Sequence, residues 1–92
     1  MNESDIGEQW SRLCDEHEAA RDAYFRAFSV VNQKFVAIGN NTSTENPTEG
    51  ELSDFQRTWQ AWQEVKRRMD EFVKSYAESR GRKFAWPAEL GR

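Results

Sequence analysis

The chain contains few of the residues on which active sites and covalent crosslinks depend. Its 92 residues include one cysteine, Cys14, and one histidine, His17. A single cysteine excludes an intramolecular disulfide, so a reducing compartment is expected. One histidine, no glycine-rich phosphate loop and no nucleophile elbow leave little for acid–base or nucleophilic catalysis. We therefore expect no enzymatic activity and no cofactor.

Long apolar runs and a basic excess are also missing. No stretch approaches the ~18–20 apolar residues that a membrane span requires, and the acidic first five residues do not resemble a secretory signal. The sequence predicts a cytoplasmic protein that does not enter a membrane. The net charge of −3 makes nucleic acid an unlikely partner, because phosphate binding favours basic proteins.

The apolar residues that are present are mainly aromatic. Six Phe, four Trp and two Tyr stand against three Leu and two Ile. Large rings bury more area each, so few positions can form a core. Charge is uneven along the chain: residues 1–22 hold seven acids and two bases, whereas residues 66–92 hold eight bases and four acids.

The first helix is predicted from about residue 5 to residue 38, ending at Gly39, a residue free to adopt a left-handed conformation. Its residues recur at spacings of four and three, which is typical of a coiled-coil seam. They are Ile6, Trp10, Leu13, His17, Ala20, Tyr24, Ala27 and Val31, continued by Phe35 and Ile38. Residues 39–47 are polar and rich in turn formers, which predicts a loop.

The second helix is predicted from about residue 48 to residue 80. Asn46 before Pro47 is one possible cap, and Thr48 with Glu51 is another. The predicted seam comprises Leu52, Phe55, Trp59, Trp62, Lys66, Met69, Val73 and Tyr76, with Val65 and Phe72 alongside it. Gly81 is expected to end the helix, and residues 81–92 form a tail too short for another long helix.

Two helices of similar length joined by a short loop predict an all-α, antiparallel two-helix hairpin that forms a single domain, residues 1–92. The apolar arc of the second helix covers ~160°, more than one partner helix needs. We therefore expect the hairpin to dimerise into a four-helix bundle. The expected interface residues are Trp59, Trp62, Val65, Phe72, Phe25 and Phe28. A different protein partner, or the aromatic tail acting as a lid, would also cover this surface.

These features predict a small, non-enzymatic interaction or regulatory protein that self-associates. One alternative is a nucleic-acid-associated protein that uses residues 66–86, where aromatic rings accompany basic residues. The basic patch would comprise Lys66, Arg67, Lys74, Arg82 and Lys83. Against it, Lys66, Arg67 and Arg68 are consecutive and so point in three directions on a helix.

A second alternative is a metal-binding bundle. Cys14 and His17 are three residues apart and hence neighbours on one helix face, and a two-fold dimer could bring two such pairs together. The simpler interpretation is a buried thiol beside a seam histidine that makes a polar core contact. Because the chain has no second ligand pair of its own, we assign no metal site.

Overall fold

The structure is a computed structural model that describes residues 3–81, with side chains from residue 5. Helix α1 spans Glu3–Gly39 and helix α2 spans Glu49–Ser79. Within the described residues there is no β-strand, and the predicted all-helical hairpin is confirmed. The predicted bounds, 5–38 and 48–80, differ from the observed ones by one or two residues at each end. The tail from residue 82 onward lies outside the described residues.

The two helices run antiparallel and contact each other along their lengths. Residues early in α1 meet residues late in α2: the rings of Trp10 and Phe72 lie 5.6 Å apart. Near the loop, Lys34 Nζ lies 2.7 Å from an oxygen of Glu51. A helix of 37 residues is about 55 Å long at 1.5 Å per residue. That length accounts for the longest dimension of the molecule, 59 Å.

The carboxyl end of α1 is closed by Asn41 rather than by glycine. Asn41 has a φ of +59°, in the left-handed region. The amide of Thr42 donates a 2.9 Å hydrogen bond to the carbonyl of Ala37, which satisfies a carbonyl that the helix leaves open. The prediction that Gly39 takes this position is wrong, since Gly39 is the last helical residue. Asparagine also tolerates the left-handed region because its side chain can hydrogen-bond locally.

At the amino end of α2, the structure selects Thr48 over Asn46 as the cap. The Thr48 hydroxyl accepts a hydrogen bond from the Glu51 amide at 3.1 Å, and the Thr48 amide donates to the Glu51 carboxylate at 2.9 Å. This reciprocal pair is a capping box, which satisfies two free amides at the helix start. At the other end Gly81 has a φ of +74° and ends the helix, as predicted.

The interior of the hairpin is thin. Among the described residues only Val31 and Val65 are buried, at 7% and 9% exposure. The radius of gyration is 18.7 Å, whereas a compact chain of this length would have about 12 Å. Two helices in contact along one stripe cannot enclose a larger volume, and much of the apolar surface remains open to solvent.

The contact stripe on α1 agrees with the predicted seam except at Phe35, which is 54% exposed. On α2 the stripe is rotated from the prediction: Leu52 and Trp59 are 44% and 47% exposed, while Val65 is buried. The observed stripe keeps Phe55 and Trp62 of the predicted seam and adds Val65 and Phe72 in place of the exposed residues. That stripe is favoured because it places Val65 in the seam and brings the Trp62 indole to the partner helix.

Candidate interaction surface

One side of the hairpin carries a patch of exposed apolar side chains, which we call the aromatic face. Its members come from both helices and are 40–54% exposed. They are Phe25, Phe28, Phe35, Leu52 and Trp59. Of the residues that the sequence predicts at an interface, Phe25, Phe28 and Trp59 thus lie on this surface.

Two rings of α1 in the aromatic face, Phe25 and Phe28, contact half-buried rings of α2. The centroid of Phe25 lies 5.8 Å from that of Trp62, and the centroid of Phe28 lies 6.3 Å from that of Phe55. Aromatic pairs at these separations attract each other beyond the area that they bury. Phe25 and Phe28 are therefore held in place by the seam beneath them, which makes this part of the patch a preformed surface.

The α2 members of the aromatic face extend the same surface. Leu52 and Trp59 lie three residues before and four residues after Phe55, so both are its neighbours along the helix surface. Phe55 itself contacts Phe28 on α1. The exposed side chains of the two helices therefore adjoin each other in one patch.

The remaining predicted interface residues contribute to the hairpin itself. Val65 is buried in the seam, and Trp62 and Phe72 are half-buried. Trp62 also borders the aromatic face, because its ring contacts Phe25. The Lys66 ammonium lies 4.0 Å from the centre of the Trp62 ring. This cation–π contact covers the ring with an aliphatic stem and a charge.

The opposite side of the hairpin, which we call the polar flank, carries an ion pair between the two helices. Arg68 forms an ion pair with Glu16 across the two helices, as expected from the acidic start of the chain folding onto its basic end. Arg68 is nine residues from Trp59, which places the two about 180° apart around α2. The aromatic face and this ion pair therefore lie on different flanks of the hairpin.

Among the described residues of the predicted basic patch, Arg67 is neutralised by neighbouring acids. Arg67 pairs with Glu64 and Glu71 on its own helix, and its guanidinium lowers the pKa of the Glu64 carboxyl through a hydrogen bond. Lys66 lies over Trp62. Lys74 is exposed. Arg82 and Lys83 fall outside the described residues.

Cys14 and His17, the two residues considered as metal ligands, have different surroundings. His17 Nε2 accepts a 3.0 Å hydrogen bond from the indole nitrogen of Trp62, so this lone pair is already in use. Cys14 is a free, half-buried thiol. In the part of the chain that the structure describes, no group of three or more His, Cys, Asp or Glu side chains is placed to hold a metal ion.

Two further findings complete the description. Neither helix in residues 3–81 is both long enough and apolar enough to cross a bilayer. Comparison of the chain with protein-family models, with curated proteins and with solved structures finds no match.

Proposed function

We propose that this chain is a non-catalytic interaction protein that self-associates through the aromatic face, forming a homodimeric four-helix bundle. The observation that carries the proposal is the preformed aromatic patch on a hairpin whose described part buries only Val31 and Val65. A patch of this kind on a soluble protein usually marks a contact surface.

The exposed area supports this role. Each large side chain offers on the order of 200 Å², so five that are roughly half exposed present about 500 Å² of apolar surface. Polar side chains around the patch enlarge the contact toward the about 800 Å² per partner that a stable interface buries. Enclosing the rings would supply the core that a single hairpin lacks.

A second copy is the occupant that the shape favours. The aromatic face is an elongated strip shared by two antiparallel helices, and a two-fold axis perpendicular to it superposes the strip on its own counterpart. Side-by-side packing of two hairpins gives the four-helix arrangement, with one layer of rings between them. The polar flank that carries Glu16 and Arg68 would remain in solvent.

Sedimentation equilibrium over a range of concentrations tests the proposal. The wild-type chain of 10.8 kDa should sediment at about twice that mass. Trp59→Ala should weaken the dimer by about 2–4 kcal/mol if the ring is central. Val30→Ala is the control, because Val30 is similarly exposed, at 41%, but lies two residues from Phe28 and so about 200° away around α1.

The result would be read from the two variants together. Loss of the dimer in Trp59→Ala and its retention in Val30→Ala support the aromatic face as the interface. A wild-type monomer at all concentrations, or a Trp59→Ala dimer as tight as wild type, would overturn the proposal. Circular dichroism of each variant verifies that the helices persist.

A further inference from the structure

An apolar groove, separate from the aromatic face, lies at the open end of the hairpin, where α1 begins and α2 ends. We call it the end groove; its volume is about 790 Å³. Ile6 and Leu13 line it from α1, and Phe72 and Tyr76 line it from α2. Arg68 also lines it, which places the end groove on the polar flank rather than on the aromatic face.

The described chain ends at the rim of this groove. Ser79 and Arg80, the last residues before the turn, line the groove themselves. Gly81 then adopts a φ of +74° and donates a 2.9 Å hydrogen bond to the carbonyl of Glu78. This left-handed turn at a helix end changes the direction of the chain. The described chain therefore ends beside the groove, in a turn that departs from the helix axis.

We propose that the chain's own C-terminal segment, residues 82–92, docks in the end groove and places Phe84 and Trp86 on its apolar lining. The segment has the necessary reach. Between Arg68 and Arg80 the groove follows twelve residues of α2, about 18 Å at 1.5 Å per residue. Trp86 is five residues beyond Gly81, which an extended chain covers in about 17 Å.

The start of the segment suits the end of α2. Arg82 and Lys83 are its first residues. Both follow the carboxyl end of α2, where the helix dipole favours cations. The charged lining residues Arg68 and Glu71 already form ion pairs within the hairpin. The apolar lining is therefore the part of the groove that suits the two rings of the segment.

This docking does not depend on the proposed dimer, because the end groove and the aromatic face occupy different flanks. It also differs from the alternative in which the aromatic tail forms a lid over the predicted interface. A lid over the aromatic face would require the segment to pass around α2, whereas the end groove begins where the segment begins.

Methyl NMR on the full-length chain gives a direct test, since the chain has only two isoleucines. Ile6 lines the end groove, and Ile38 lies at the other end of the hairpin. Aromatic rings shift the resonances of methyl groups that they contact. The double variant Phe84→Ala and Trp86→Ala should shift the Ile6 δ1-methyl resonance and leave that of Ile38 in place.

The matched control is Arg92→Ala, which alters the segment beyond the two rings and should leave both isoleucine signals unchanged. Removal of residues 82–92 should reproduce the shift at Ile6. An Ile6 methyl signal that is the same in the wild type and the double variant would overturn the proposal.

A mixing experiment distinguishes docking within one chain from docking on a second copy. Labelled chains that lack residues 82–92 are mixed with unlabelled full-length chains. Docking on the segment's own hairpin leaves the labelled Ile6 signal unchanged at every concentration. Restoration of the wild-type signal as full-length chain is added would show that the segment binds another copy, which overturns docking within one chain.

Discussion

The indole nitrogen of Trp62 donates a hydrogen bond to Nε2 of His17 across 3.0 Å and joins the two helices near the middle of α1. His17 occupies a seam position that an apolar residue would otherwise fill. Its Nε2 must be unprotonated to accept the bond, so the neutral ring carries its proton on Nδ1. The histidine of this chain therefore serves as a polar contact within the seam.

Trp62→Phe should destabilise the protein by about 1 kcal/mol, because it retains a ring but removes the donor to His17. In a His17→Leu background the same change should cost clearly less, since no acceptor remains unpaired. Urea unfolding of the four proteins at one concentration measures this coupling. Trp10→Phe is the control and should cost the same in both backgrounds. Equal costs of Trp62→Phe in the two backgrounds would show that the hydrogen bond contributes nothing.

Val31→Ala should destabilise the protein by about 2 kcal/mol more than Val30→Ala. Val31 is 7% exposed and Val30 is 41% exposed, on adjacent positions of one helix. Both changes alter helix propensity alike, so the difference reports the loss of two buried methyl groups and the cavity left behind. Thermal or urea unfolding measures it. Equal effects would mean that Val31 is not enclosed in solution.

Thr48→Ala should cost about 1 kcal/mol, because the Glu51 amide loses its acceptor at the start of α2. Thr48→Ser keeps a hydroxyl in the same place and serves as the control. Urea unfolding gives the free energies, and circular dichroism reports fraying of the helix. Stability of Thr48→Ala at the level of Thr48→Ser would indicate that another residue caps the helix.

Glu51 should lose its stabilising effect in acid. The hydrogen bond from Lys34, and next the Thr48 amide, hold the pKa of the Glu51 carboxyl below its ordinary value. A carboxyl with a lower pKa in the folded state adds stability above its unfolded pKa, and this is lost as the pH falls through the folded value. The stability difference between wild type and Glu51→Gln should therefore be largest near neutral pH and shrink as the pH falls below 4.5, the ordinary pKa of a glutamate carboxyl.

Lys34→Met provides the matching control for Glu51. Without the ammonium, the pKa of Glu51 should rise toward its ordinary value while the Thr48 contacts persist. An NMR titration of the Glu51 carboxyl in both proteins measures this change. An unaltered titration midpoint would show that Lys34 does not interact with Glu51 in solution, contrary to the 2.7 Å contact.

Helix identity could be predicted because it depends on local signals. The spacing of residues along α1, the turn formers around residue 40 and the glycine at position 81 each constrain only a few neighbours. The choice between caps could not be made from sequence, since Asn46 and Thr48 offer similar chemistry. In the structure, the Glu51 carboxylate accepts hydrogen bonds from the Thr48 amide and the Lys34 ammonium, and these contacts favour Thr48 as the cap.

The candidate surface was only partly accessible to sequence reasoning. Phe25, Phe28 and Trp59 could be singled out as large rings. That they are exposed while Val65 is buried follows from the rotation of α2 about its axis, which the sequence does not specify. That helix has apolar residues on two overlapping stripes, and either one gives a regular pattern of threes and fours. The end groove has no local signal at all, because residues 6 and 76 meet only when the hairpin closes.

Local sequence signals are sufficient to form two long helices joined by a polar loop, with an acidic start opposite a basic end. The hydrophobic periodicity, the helix caps and the turn residues are enough to specify the helices and the loop, because each of these signals acts over only a few residues. Which stripe of α2 faces α1, and therefore which rings remain on the surface, is fixed only when the two helices pack together. This choice depends on packing between helices: burying Val65 and joining Trp62 to His17 leaves Trp59 in solvent.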